Sequence, residues 1–379
     1  MKIGIMSMQR VINYGSFLQS YSLFKNLESM GAEVCMVDYH IEAPLVKKNS
    51  PKSKKRINAL ASKIADHIFF PRILKKEELA VYWKELTKVE NEYKNDFLTL
   101  IGVNDERNYT PELDLLVIGS DEVFNCIQPN QEVGYSRELF GMNNNAKTLI
   151  SYAASFGNTM EEGLKNYGVY DEIKKMLRQF DGISVRDENS IHIVNKMQLS
   201  NVHKNVDPVF LYDYEKEMDI EVPEKNYIVV YSYNNRISKK EAAEIIRFAK
   251  KQNKKIVCIE GVQRYLRGFL ALNPFQVLAY FKNADYIITD TFHGTVFSIK
   301  NNKQFVSIVR TGTGINYGNS AKLVDLLKTF NLEDRELKDV RELSEKIKKP
   351  IDYSTVNKKI SEEKEKAFDY IQSFIEINK

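Results

Sequence analysis

Apolar positions along the chain come in two rhythms, short unbroken runs and helical spacings, which alternate from end to end. Residues 2–7 form a brief apolar run, as expected of a strand buried on both faces. After a polar loop, Phe17, Leu18, Tyr21, Phe24 and Leu27 recur at helical spacing within 16–30. Gly31 stops that helix, and a second run at 33–38 completes a β-loop-α-β unit. Strand-like runs follow at 114–118, 148–152 and 182–185, with helices expected at 160–180 and 187–195. The stretch 212–226, rich in Glu, Lys and Asp and holding Pro223, reads as a link. Beyond it the alternation restarts, with strands at 227–233, 255–260, 285–289 and 305–309 and helices at 238–252, 274–282 and 295–300. From Ser354 the tail is a charged helix with Ala367, Phe368, Ile371 and Phe374 on one face.

This pattern predicts an α/β protein of two Rossmann-like domains facing a central cleft. Residues 1–212 make the first, with a helical insertion at about 57–100, and residues 213–353 the second. The helix 354–379 is expected to pack back on the first. A chain of 379 residues is long enough for two cores. Open parallel sheets bind ligands at the carboxyl ends of their strands, so the loops after strands are where chemistry is sought.

Composition narrows the function classes. With 55 Lys+Arg against 51 Asp+Glu, the net charge of +4 is too balanced for a dedicated nucleic-acid binder, and any anion selectivity must be local. Cys35, Cys126 and Cys258 form no CxxC pair, which points away from a disulfide framework and towards a reducing cytoplasm. The first ten residues turn polar too soon for a signal peptide, and no run approaches the length of a membrane helix. Residues 47–56 concentrate six positive charges, either as a solvated loop or as a contact for anionic lipid headgroups, which would place the protein peripherally at the inner face of the membrane. HExxH, GxSxG and EF-hand patterns are missing, so no metal site is expected.

Five strand-end segments carry candidate chemistry. A buried run ending in Asp290 leads into Thr291-Phe-His-Gly294, where a helix start can hold an anion, Gly294 permits close backbone approach and His293 lies alongside. His293 reads either as a general acid protonated when an anion binds or as a neutral loop histidine. In Ser184-Val-Arg-Asp187, Arg186 is equally a bidentate anion clamp or a surface ion pair. In Ile118-Gly-Ser-Asp-Glu-Val-Phe-Asn125, Ser120, Asp121 and Asn125 suit sugar hydroxyls, with Asp121 a general base or a helix cap. Asn13-Tyr-Gly-Ser-Phe-Leu-Gln19 offers Asn13, Tyr14, Gly15 and Gln19 to the cleft, although capping explains Ser16. The glycine-bearing loop 310–322 lacks a Walker ending but supplies Arg310 and Lys322 as phosphate contacts, or is a plain flexible loop. Asp207-Pro208 reads as a turn rather than a catalytic pair.

Taken in order and spacing, Asn13–Gln19, Ile118–Asn125, Ser184–Asp187, Val206–Pro208 and Thr289–Gly294 resemble the polysaccharide pyruvyl transferase family, over about residues 2–330. The resemblance implies a GT-B-like fold, phosphoenolpyruvate as donor and no cofactor. It further implies a sugar diol as acceptor, nucleotide- or lipid-linked, and a pyruvate ketal as product in cell-surface polysaccharide, exopolysaccharide or capsule synthesis. The first domain would be the acceptor side and the second the donor side. Arg186 and His293 fall on the family's donor-binding or catalytic positions. Some members carry a basic residue before the final His-Gly where this chain has Thr291 and Phe292; Arg310, Lys322, Arg264 or Arg267 could supply the charge instead.

The mechanism expected on this footing has His293 protonating the donor methylene, Arg186 and the 310–322 loop neutralising carboxylate and phosphate, and Asp121 relieving a sugar hydroxyl of its proton. Two rivals remain at this stage: a GT-B glycosyltransferase using a nucleotide sugar, which would liberate a nucleotide, and a non-catalytic glycan-binding protein.

Overall fold

The computed structural model of the protein describes residues 1–46, 76–129, 131, 133–310 and 320–377. The basic run 47–56, the first part of the expected insertion (57–75) and positions 311–319 of the glycine-bearing loop lie outside the described residues.

Two all-parallel sheets organise the chain. The first has six strands in the order β2-β1-β3-β4-β5-β6, formed by β1 (Lys2–Met6), β2 (Glu33–Met36), β3 (Glu112–Asp121), β4 (Asn145–Ala154), β5 (Ile183–Val185) and β6 (Val202–Lys204). The second has five in the order β11-β10-β9-β7-β8, formed by β7 (Tyr227–Ser232), β8 (Lys255–Glu260), β9 (Tyr286–Thr289), β10 (Phe305–Ile308) and β11 (Glu336–Leu337). Their central strands are apolar and covered by helices on both faces, which is why Leu115–Ile118 and Ile228–Val230 are fully buried. The two-domain α/β architecture read from the alternation is the one present.

Several boundaries differ from the sequence reading for local reasons. The helix expected over 160–180 is two, Glu161–Asn166 and Tyr170–Leu177, because Gly168 turns the chain through the left-handed region at φ 70°. The helix expected from 295 begins at Phe292, since Thr291 caps it by accepting the Gly294 amide at 2.9 Å. The two-residue β11 is too short for a periodicity to show.

The sheets meet through aromatic side chains. Phe17 and Tyr21, on the helix Tyr14–Ser29, pack on Phe275, which follows β8, at 6.1 and 5.2 Å between ring centroids. The helix Lys76–Glu92 sets Tyr82 against Phe269 at 5.6 Å. The final helix, Tyr353–Ile377, touches both sheets: Tyr353 donates to the Lys303 carbonyl, and Tyr370 donates to the Ser151 carbonyl at 2.9 Å. A side chain at Gly182 would collide with Phe374 of that helix.

Candidate active site

The carboxyl ends of β1, β3, β5, β7 and β9 open on a single cavity of about 560 Å³ between the two sheets. Its wall joins Asn13, Ser16, Asp121, Glu122, Asn125 and Arg186 from the first sheet's loops to Tyr233, Arg236, Asp290, Thr291 and His293 from the second's, with Lys322 at its edge. Residues separated by more than a hundred positions thus share one space.

Arg186 is the hub. Its side chain is 2% exposed, its Nη1 lies 2.9 Å from Asp207 Oδ2 and its Nη2 lies 3.0 Å from Asp121 Oδ1. The guanidinium rests on the Phe292 ring at 4.3 Å. Burial pulls its pKa down, but Asp121 and Asp207 outweigh that and raise it, so it is a permanent cation. The reading of Arg186 as an open clamp for the donor is therefore corrected: both terminal nitrogens are already engaged by carboxylates. It holds Asp121 and Asp207 in place.

Asp207 corrects the reading of Asp207-Pro208 as a turn alone. The turn exists, with Asp207 Oδ1 accepting the Val209 amide at 3.1 Å, but the other oxygen faces Arg186 and lies 3.5 Å from His293 Nε2. Burial pushes the Asp207 carboxyl up, while His293, Arg186 and the Val209 amide more than offset it and hold it below its ordinary value. Asp121 behaves alike: burial raises it, whereas Arg186, His293 and the Ser16 hydroxyl, 2.7 Å away, bring it down. An acid held ionised this firmly is a poor proton acceptor and a good hydrogen-bond acceptor.

His293 stands in the first turn of the helix Phe292–Lys300, 7% exposed, stacked on Phe297 at 6.0 Å. Nε2 makes no hydrogen bond, the 3.5 Å to Asp207 being too long for one. Its other face abuts Gly15, where a side-chain Cβ would sit 1.9 Å from Nδ1. Gly15 is thus the seat of the imidazole. Gly15→Ala should leave a folded protein with a displaced His293, and kcat of a reaction that uses the imidazole should fall by roughly 10²-fold, as small misplacements of a catalytic group do. An unchanged kcat would show that the ring does not depend on this seat.

The remaining expected residues divide. Asn13 reaches the cavity and caps its helix, accepting the Ser16 amide at 3.1 Å. Asn125 and Thr291 also line it. Lys322 does so while paired with Glu122. Tyr14, Gln19 and Ser120 do not line it: Tyr14 donates to the Leu272 carbonyl at 2.6 Å, Gln19 is fully buried against Ser7, Ser16 and Ser20, and Ser120 is buried with its oxygen on the Asp121 amide. Gly294 packs behind the site, a Cβ there meeting Thr289 and Tyr231, and its amide is spent on the Thr291 cap. Arg310 is committed to Asp290 and Glu241, at 2.8 and 3.0 Å, and is not part of the wall; neither is Arg264 or Arg267.

Two residues of this region went unnoticed in the sequence. Arg236 follows β7 and enters the wall; its place after a strand was the available signal. Glu260, at the end of β8 with φ 76°, accepts from Asn13 Nδ2 at 2.9 Å and from Tyr231 at 2.7 Å, tying the two sheets together. Burial pushes its carboxyl up to about 7, against the opposing pull of Tyr231, His293 and Asn13. A carboxyl whose folded pKa lies above its ordinary 4.5 stabilises most when protonated, so its contribution declines as pH rises from about 4.5 towards 7. Glu260→Gln removes that slope. The variant's melting temperature relative to the parent should be higher at about pH 8 than at about pH 5; a constant difference would mean that Glu260 is ionised throughout.

Among the described residues no cluster of three His, Cys, Asp or Glu could hold a metal ion, and no helix is long and apolar enough to cross a membrane. The polysaccharide pyruvyl transferase family profile matches residues 13–311. No curated protein matches the chain in sequence. Among solved structures, the glycotransferase of kitacinnamycin aligns over 98% of both chains at 10% identity and a TM-score of 0.47. The UDP-GlcNAc 2-epimerase from Neisseria meningitidis bound to UDP-GlcNAc aligns over 99% of both at 9% identity and a TM-score of 0.43.

Proposed function

Because the chain belongs to the polysaccharide pyruvyl transferase family, we propose that it moves the pyruvyl group of phosphoenolpyruvate onto two hydroxyls of one sugar, releasing phosphate and forming a pyruvate ketal. The observation that supports this most is His293, an imidazole nitrogen without a hydrogen-bond partner at the wall of a cleft cavity, faced by the ionised carboxylate of Asp207. An imidazole nitrogen with no other hydrogen-bond partner is placed to pass a proton to the carbon of a bound ligand.

Protonated His293 gives its proton to the methylene carbon of the donor, and the adjacent carbon becomes oxocarbenium-like. The first sugar hydroxyl attacks that carbon, and its proton passes to the now neutral His293. Phosphate leaves with the carbon–oxygen bond pair, the second hydroxyl closes the ring, and its proton departs on phosphate. Asp121 orients the acceptor by accepting a hydroxyl hydrogen bond, a role that fits its lowered pKa better than proton removal does. Asn13 and Asn125 shape the same wall, their amides held by Ser16 and Glu260 and by Glu122 and Thr159. Thr291 caps the helix so that His293 faces the cavity, and Lys322 supplies positive charge at the rim.

The acceptor is a nucleotide- or lipid-linked sugar of cell-surface polysaccharide synthesis, met on the cytoplasmic side. The test is mass spectrometry of such acceptors after incubation with the protein and phosphoenolpyruvate. A gain equal to pyruvic acid less one water, with one phosphate released per product, is expected. A glycosyl gain from a nucleotide sugar instead, or no gain with either donor, would overturn the reading.

A further inference from the structure

Phosphoenolpyruvate carries both carboxylate and phosphate, and the charged lining of the cavity is balanced, with Asp121, Glu122 and Asp290 against Arg186, Arg236 and Lys322. A polyanion needs a cation whose hydrogen-bond donors are not already consumed. Arg186 has both terminal nitrogens on carboxylates, which offset its charge twice over, and only its deeply buried Nε is left without a partner. Lys322 is held by Glu122, and Arg310, which does not line the cavity, is held behind it by Asp290 and Glu241.

Arg236 differs. Its Nε lies 3.0 Å from Asp290 Oδ2, its side chain is 20% exposed, and its guanidinium makes no hydrogen bond to any described residue. Its terminal nitrogens have no hydrogen-bond partner among the described residues, and the side chain lines the cavity. Asp290 accepts from Arg310 at 2.8 Å as well, so its charge stays compensated when Arg236 turns part of its field to a ligand. The mounting is rigid: the buried Gln263 amide donates to the Tyr233 carbonyl at 2.9 Å and accepts the Ile237 amide at 3.0 Å, clamping both ends of the turn that carries Arg236. Asp290 also immediately precedes Thr291, the cap of the helix that presents His293. Arg236 is thus anchored to the loop that places the imidazole, in the same cavity wall as His293, whose Nε2 has no hydrogen-bond partner.

We propose that Arg236 is the cation that receives the phosphate of the donor. This rests on phosphoenolpyruvate being the donor. A planar, permanently charged fork suits a phosphate better than a point charge, so lysine cannot fully replace it. Tyr233, 39% exposed and 5.6 Å from the guanidinium carbon, shields one face of that position.

The test is calorimetric titration of the whole protein with phosphoenolpyruvate, inorganic phosphate and pyruvate in turn. Arg236→Gln should weaken phosphoenolpyruvate and phosphate by about 10- to 100-fold, the range of a charged hydrogen-bond pair, and leave pyruvate nearly unchanged. Arg236→Lys should recover part of the loss, and unchanged melting temperatures show that the fold is not the cause. If the parent protein binds no phosphoenolpyruvate, the donor reading itself fails. If the parent binds it and Arg236→Gln binds it equally, only the role of Arg236 is overturned; equal losses for pyruvate and phosphate would overturn its assignment to the phosphate end.

Discussion

Replacing His293 with glutamine should give a folded protein whose ketal formation is lower by roughly 10²–10⁴-fold, the contribution of one positioned acid–base group. Glutamine keeps a polar side chain of similar reach against Gly15 and Phe297 but cannot carry a proton to carbon. The loss should appear in kcat with little change in donor affinity, because in this arrangement the imidazole does its work as the methylene carbon accepts the proton. Asp207→Asn probes the same step from behind. Without the carboxylate facing Nε2 a proton carried there loses its counter-charge, so kcat should fall in that variant too while donor affinity changes little. Steady-state phosphate release measures both. Near-normal turnover in His293→Gln would remove His293 from the chemistry and leave the cavity without an identified acid.

Arg186→Met should destabilise the fold by about 3–5 kcal/mol, the usual cost of removing one partner from a buried ion pair. The effect is expected to be large because the arginine neutralises two carboxylates at once, Asp121 from the end of β3 and Asp207 from the turn after β6, and both are nearly out of water. Methionine fills much of the volume over Phe292, so lost packing contributes little. The remaining pair of acids would each hold a proton far more tightly, and the variant should regain stability as pH falls through the carboxylate range. Combining it with Asp207→Asn should recover part of the loss, since one uncompensated charge disappears. Urea unfolding at neutral and acidic pH reads all of this. A penalty below about 1 kcal/mol, the level of an exposed pair, would mean that the cluster is solvated.

Much of the architecture was legible in the chain because the signals are local. Apolar runs such as Leu115–Ile118 and Ile228–Val230 mark strands covered on both faces, whereas the cap expected at Ser16 falls on Asn13, whose side-chain oxygen reaches the Ser16 amide. The strand-end rule placed Asp121, Arg186 and His293, and all three line one cavity. Gln19 and Tyr14 show where the rule stops. Both follow the same loop, but helix periodicity turns Gln19 inward, and Tyr14 extends sideways to the Leu272 carbonyl. Glu260 and Asp207 show the converse failure. Each looked like an ordinary strand or turn terminus, and each became part of the site through a partner far away in sequence, Asn13 for one and His293 for the other.

The amino-acid order alone determined most of the strands and helices and which loops open at the carboxyl ends of the sheets, because period and capping act within a few residues; β6 and β11, of three and two residues, are too short to show a period. The tertiary structure decided which charge meets which. Arg186 changed from an expected open clamp to a closed ion-pair hub, and Arg236 became the cation whose terminal nitrogens have no hydrogen-bond partner among the described residues, because ion pairing depends on the distance between side chains carried by different sheets. No local pattern encodes that distance; it follows from how the Phe17, Tyr21 and Phe275 interface sets the two sheets face to face.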